Sequence, residues 1–176
     1  VIRSQNLLSL EKSREKAHFV LKKKRMGYLL SIEKRVGAFS GALRDRKVGK
    51  IVLSILYTTE GSRSEKGSIT FGNSDPYIIS LFLHLLRFCY SIDEQKLRCT
   101  VQCRADQDVA ELSSFWVKIT RISRERFCKP QVDSRTVGKP TKKSDYRVVC
   151  RINYFSADLS LELRAIAKII HNGPVV

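Results

Sequence analysis

The stretch Val48-Gly49-Lys50-Ile51-Val52-Leu53-Ser54-Ile55-Leu56-Tyr57-Thr58-Thr59-Glu60-Gly61 constrains the fold of this chain more than any other. Ile51, Val52, Ile55, Leu56 and Thr59 recur at helical spacing, and Leu53 and Tyr57 widen the apolar arc until little polar surface remains. A helix that is apolar on nearly all sides has to be covered on more than one of them, so the rest of the chain is expected to pack around it. Glu60 ends the helix where the macrodipole disfavours an anion, and Gly61 is expected to supply a positive-φ stop.

From Ser62 onward the period changes. Ser62 to Lys66 is polar and turn-like, after which Ser68, Thr70 and Gly72 alternate with Ile69 and Phe71 as in a half-buried strand. Asn73-Ser74-Asp75-Pro76 reads as a helix start with capping side chains and proline in the first turn, and the helix it opens stops near Ser91. A second strand places Leu97, Cys99, Val101 and Cys103 on one face and Lys96, Arg98, Thr100, Gln102 and Arg104 on the other. Asp106-Gln107-Asp108 caps a further helix with Val109, Leu112, Phe115, Trp116 and Ile119 on one stripe, and the single tryptophan reads as a core anchor. Phe127 to Val132 reads as a strand that Pro130 confines to an edge or a bend.

Ser134 to Ser144, with Arg135, Lys139, Lys142 and Lys143, is a basic loop suited to phosphate. A last strand over Asp145–Tyr154 sets Tyr146, Val148, Cys150, Ile152 and Tyr154 against Arg147, Val149, Arg151 and Asn153. An amphipathic helix from Ala157 to Ile170 closes the chain. Helices alternating with such strands predict an α+β fold, an antiparallel sheet with helices packed on one face.

Residues 1–46 form a separate segment ahead of a domain over 47–176. Leu7, Leu8, Leu10, Ala17, Val20 and Leu21 lie among Lys12, Arg14, Lys16, Lys22, Lys23, Lys24 and Arg25, which predicts a basic amphipathic helix ending near Gly27. Gly27 to Arg44, with Ile32, Val36 and Leu43 as core positions and Gly37 at the turn, resembles either a degenerate helix-turn-helix or a plain helical hairpin.

The formal net charge of +16 selects a polyanionic partner, nucleic acid before an anionic membrane surface. No run of about 18 apolar residues is present, so nothing spans a membrane and the chain reads as soluble and intracellular. Five cysteines at irregular spacings favour reduced, buried thiols. His18, His84 and His171 fall in three separate predicted helices, and no Cys/His metal set is assigned.

Leu53, Leu56 and the closing pair Glu60-Gly61, followed by Gly67-Ser68-Ile69-Thr70-Phe71-Gly72-Asn73-Ser74-Asp75-Pro76, resemble the signature of the LAGLIDADG proteins, best known as homing endonucleases. The resemblance covers residues 47–176, with one signature helix and an added helix around Trp116. It implies a homodimer through the helix over 48–60, with Glu60 of each copy as the catalytic acid and as ligand to Mg²⁺. It further implies sequence-specific binding and cleavage of double-stranded DNA. Arg98, Thr100, Gln102, Arg104, Arg147, Arg151 and Asn153 on two strands, together with Lys139, Lys142 and Lys143, are the expected DNA contacts. Ile55 stands where the family often has a small residue at the helix crossing. Two alternatives accompany this reading: a family member without cleavage that acts as a DNA-binding regulator or in splicing, and an RNA-binding or ribosome-associated protein.

Overall fold

The computed structural model describes residues 2–62, 67–141 and 147–173. The chain divides into two units, Val1–Leu43 and Arg44–Val176. In the first, α1 runs from Ile2 to Val36 and a 3-10 segment follows over Gly37–Arg44.

The end expected near Gly27 is not there. A single glycine costs a helix only about 1 kcal/mol relative to alanine, and the lysines, arginines and leucines around it are good helix formers. The helix is also not amphipathic, because its apolar side chains are spread around the axis rather than gathered on one stripe. Phe19, Leu21, Tyr28 and Leu30 are all more than half exposed.

The second unit is a mixed four-stranded sheet backed by four helices: α2 (Arg46–Glu60), β1 (Ile69–Asn73), α3 (Pro76–Cys89), β2 (Leu97–Arg104), α4 (Val109–Thr120), β3 (Gln131–Asp133), β4 (Val149–Tyr154) and α5 (Ala157–Asn172). The strand order is β1-β4-β2-β3. β4 pairs antiparallel with both β1 and β2, whereas β3 pairs parallel with β2. The sheet is therefore not purely antiparallel as expected: the crossover through α4 returns the chain in the direction of β2, which a hairpin could not do.

Capping follows the side chains. Asp45, Asp75, Asp108 and Ser156 each accept a backbone N–H at the start of α2, α3, α4 and α5. α3 ends at Cys89, two residues before the stop expected near Ser91.

Core residues come from one face of each strand: Ile69 and Phe71, Leu97, Cys99, Val101 and Cys103, and Cys150, Ile152 and Tyr154. Phe71 stacks on Phe82 of α3 with ring centroids 4.0 Å apart. Trp116 is fully buried, as its reading as an anchor requires, and its indole N–H donates to the Arg147 carbonyl at 2.9 Å.

α2 is central, but the side it buries differs from its most regular apolar stripe. Gly49, Leu53, Ser54 and Tyr57 are buried, while Ile51 and Ile55 are 38% and 44% exposed. Close approach of α3 decides this, since a Cβ on Gly49 would come within 2.8 Å of the Cys89 sulfur. Gly61 is likewise required by space rather than by a positive φ. Its φ is −83°, and a Cβ there would meet the Tyr57 carbonyl and ring.

Polar bonds tie α2 to the helices beside it. The Tyr57 hydroxyl and the Ser160 hydroxyl of α5 lie 2.9 Å apart. Lys50 pairs with Glu162 of α5 at 2.8 Å, and Tyr90 donates to the same carboxylate oxygen at 2.9 Å. The Lys50 bond, with that from Tyr90, holds the Glu162 carboxyl below its ordinary pKa.

Candidate nucleic-acid interface

The alternation that fills the core leaves a second face on the sheet. The register aligns Thr70 of β1, Asn153 of β4 and Arg98 of β2 across it, then Gly72, Arg151 and Thr100, then Val149, Gln102 of β2 and Gln131 of β3. Arg104 and Asp133 complete the face at the β3 end. Of the expected contact residues, Arg98, Thr100, Gln102, Arg104, Arg151 and Asn153 are thus brought together on one surface.

Each has a defined state. Arg98 donates to the backbone carbonyls of Gln95 and Leu97, both at 2.7 Å, so its head is turned along the start of its own strand. Asn153 donates to the Thr70 hydroxyl at 2.6 Å, and the Gln102 amide donates to the Gln131 carbonyl oxygen at 3.1 Å. The Arg104 guanidinium donates to the Lys139 carbonyl, while its Nε lies 3.6 Å from the Asp106 carboxylate, too far for a hydrogen bond.

That Arg104 Nε is buried without a hydrogen-bond partner among the described residues, and Arg151 shares this state. Its neighbours across the face are Gly72 and Thr100, and its Nε is shut off from solvent without a hydrogen-bond partner among the described residues. No carboxylate pairs with it among those residues. An unpaired buried N–H costs about 1–3 kcal/mol, which an acceptor supplied from outside would recover.

Arg147 leaves the set. The last strand begins at Val149 and not at Asp145, and Val148 has a φ of +60°, unusual for a β-branched side chain. This turn buries Val148 and aims the Arg147 carbonyl at Trp116, so the Arg147 side chain pairs with Glu111 at 3.2 Å and lies over the Phe115 ring on α4. The backbone at Val148 carries about 1–3 kcal/mol of strain, held in place by the packing around it. Asp145 and Tyr146, also expected in that strand, lie outside the described residues, as do Lys142 and Lys143. Lys139 is exposed in the turn after β3.

Glu60 stands apart from the sheet face. It is exposed at the end of α2 and accepts from the Asn73 amide at 3.3 Å. Among the described residues no group of three or more His, Cys, Asp or Glu side chains is gathered in one place. The thiols of Cys99 and Cys150 lie 3.3 Å apart in the core, and the hydrogen bond to Cys99, with burial, pushes the Cys150 thiol far up. Cys128 is exposed.

Several side chains of the site carry no signal in the sequence. Gln131 is placed beside Gln102 only by the parallel pairing of β3, and Asp106 accepts both the Thr141 N–H, at 2.5 Å, and its hydroxyl, at 3.0 Å, across 35 residues of chain.

Set beside protein-family models, curated proteins and solved structures, the chain matches none of them. Among the described residues no helix is long and apolar enough to cross a membrane.

Proposed function

We propose that the open face of the β1-β4-β2 sheet binds double-stranded DNA in a sequence-specific manner. The observation that carries this reading is Arg151, set at the centre of the face between Gly72 and Thr100 with no acid partner among the described residues and flanked by the hydrogen-bonding ends of Gln102 and Asn153. Three strands about 4.8 Å apart set their outer axes about 10 Å from one another, comparable with the major groove's width of about 12 Å. Arginine and glutamine there would meet base edges, while Arg98, Lys139 and the overall positive charge would meet phosphates.

The exposed stripe of α2, Ile51 and Ile55 with Thr59, suits a second copy of this chain related by a two-fold axis. Such a pairing would bring the Glu60 carboxylates of the two copies together. In one copy the donor set is a single carboxylate, with only its Oε2 engaged by Asn73, which is half of what a magnesium ion with retained waters would need. Bound between two copies, the ion would polarise a phosphate and activate water for DNA cleavage.

The test is selection from a randomised duplex library. Binding of the selected duplex is followed against salt, and cutting in Mg²⁺ is compared between the protein and Glu60→Gln. Salt-sensitive, sequence-selective binding supports the reading, and cutting lost in Glu60→Gln adds the nuclease. Stronger binding to RNA than to any duplex overturns it. Sedimentation of Ile55→Glu beside the unaltered protein tests the pairing, which is refuted if both are monomers at micromolar concentration.

A further inference from the structure

Where the open face meets β3, the surface deepens into a cavity of about 430 Å³, within the range of about 300–1,000 Å³ typical of small-ligand sites. Its lining includes Gln102, Gln131, Arg104, Arg135, Asp133 and Val149. Arg135 is held by both oxygens of Asp133, at 2.9 and 3.0 Å, and Arg104 stands beside Asp106. The charge of Arg135 is thus answered within the lining and that of Arg104 only by Asp106 outside it, so the lining is close to neutral in a chain that is otherwise strongly basic. With Arg135 already held by Asp133, the lining offers hydrogen-bonding groups more than free charge, which suits a neutral group rich in hydrogen bonds.

The two amides supply what such a group needs. The bond from Gln102 to Gln131 leaves one carbonyl oxygen on the first and one amino group on the second, so an acceptor and a donor stand side by side. Whichever way the amides are turned, one of each remains. An adjacent donor and acceptor is the pattern that meets the Watson–Crick edge of a nucleobase. Val132 and Val149 add apolar surface for the face of the ring, and the Arg104 Nε, buried without a hydrogen-bond partner among the described residues, adds a further donor.

We propose that this cavity receives a single nucleobase turned out of the stack of the nucleic acid lying on the open face. The inference rests on the nucleic-acid reading of that face and names what the face does at one end: it holds one nucleotide unpaired. Turning a base out costs least at a mismatched, damaged or single-stranded position, so such positions would be favoured.

The probe is 2-aminopurine, whose fluorescence rises on unstacking, placed singly at successive positions of the selected duplex and of its separate strands. On binding, one position is expected to brighten at least threefold. Gln131→Trp, which fills the cavity mouth, and Gln131→Leu, which removes the amide at similar size, are both expected to abolish the rise. β3 is a three-residue edge strand, and thermal unfolding of both variants checks that the fold is kept.

Salt-dependent binding with no brightening at any position overturns the cavity proposal and leaves the DNA-binding reading standing. Brightening that persists in both variants also overturns it, since the base is then received elsewhere. Brightening with single strands alone keeps the cavity and replaces the duplex reading. Absence of salt-dependent binding to any strand overturns both.

Discussion

Alternate residues of the same three strands build two faces of opposite chemistry. On the inner face, Phe71, Cys99, Val101, Cys150 and Ile152 are all essentially inaccessible, and the Cys99 and Cys150 thiols hydrogen-bond to each other. On the outer face, Arg98, Gln102, Arg151 and Asn153 are half-buried around a buried Thr100, and the Nε atoms of Arg104 and Arg151 have no hydrogen-bond partner among the described residues. The contrast shows where each kind of free energy is held. Apolar area removed from water at about 25 cal/mol per Å² stabilises the fold from the inner face, while the outer face retains hydrogen-bonding capacity that folding has not satisfied.

The widest break in that comparison is Phe71→Ala. Loss of the ring stacked on Phe82 leaves a cavity with no room to collapse, and denaturant unfolding should show a loss of about 3–5 kcal/mol. A loss below about 1 kcal/mol would mean that the helix layer does not depend on this face.

Arg151→Ala should do the reverse. Folding stability should hold or rise slightly, because a buried donor without a partner is removed, while duplex binding weakens by about 1–3 kcal/mol and the slope of log K against log salt falls by about 1. Equal loss of stability and binding would show that Arg151 belongs to the fold.

Arg147→Ala sharpens the same contrast, since in sequence Arg147 looks equivalent to Arg151. It should cost at most about 1 kcal/mol of stability through the half-exposed pair with Glu111, and should leave base preference unchanged. A change in the selected sequence with Arg147→Ala would put this side chain back on the binding face.

The smallest effect lies behind the inner face, at the rim of the helix layer. Glu162 is held below its ordinary pKa by Lys50 and Tyr90, so its contribution is present above the ordinary glutamate value of about 4.3 and is lost as pH falls through the depressed one. Both partners are partly exposed, and screening limits the pair to under about 1 kcal/mol. Glu162→Gln should therefore lower the melting temperature slightly at pH 7, with the gap closing towards pH 3. A gap that stays constant would assign the loss to packing.

Much of this was legible because it is local. Asp75-Pro76 announces α3 and Asp108 announces α4, and the period-two pattern over Leu97–Arg104 identifies both faces of β2 without any partner in view. The outer side of the strands was legible to the same depth, which is why Arg98, Thr100, Gln102, Arg104, Arg151 and Asn153 share one face of the sheet.

The strand placement of Arg147 failed because period two was extended across Val148, whose left-handed backbone is imposed by Trp116 and burial rather than by its own residue type. The buried side of α2 failed for a related reason. With apolar residues on almost every side, periodicity cannot select a direction, and the choice falls to the place where Gly49 lets Cys89 approach.

By itself, then, the sequence determined the caps, the strand alternation, the core composition and the positive charge, because each depends on residues a few positions apart. The tertiary structure alone decided that β3 runs parallel to β2, that Gln131 meets Gln102 and that the Arg151 Nε is left without a partner between a glycine and a threonine. These follow from strand order and register, which arise from pairings across tens of residues and leave no periodic trace in the chain.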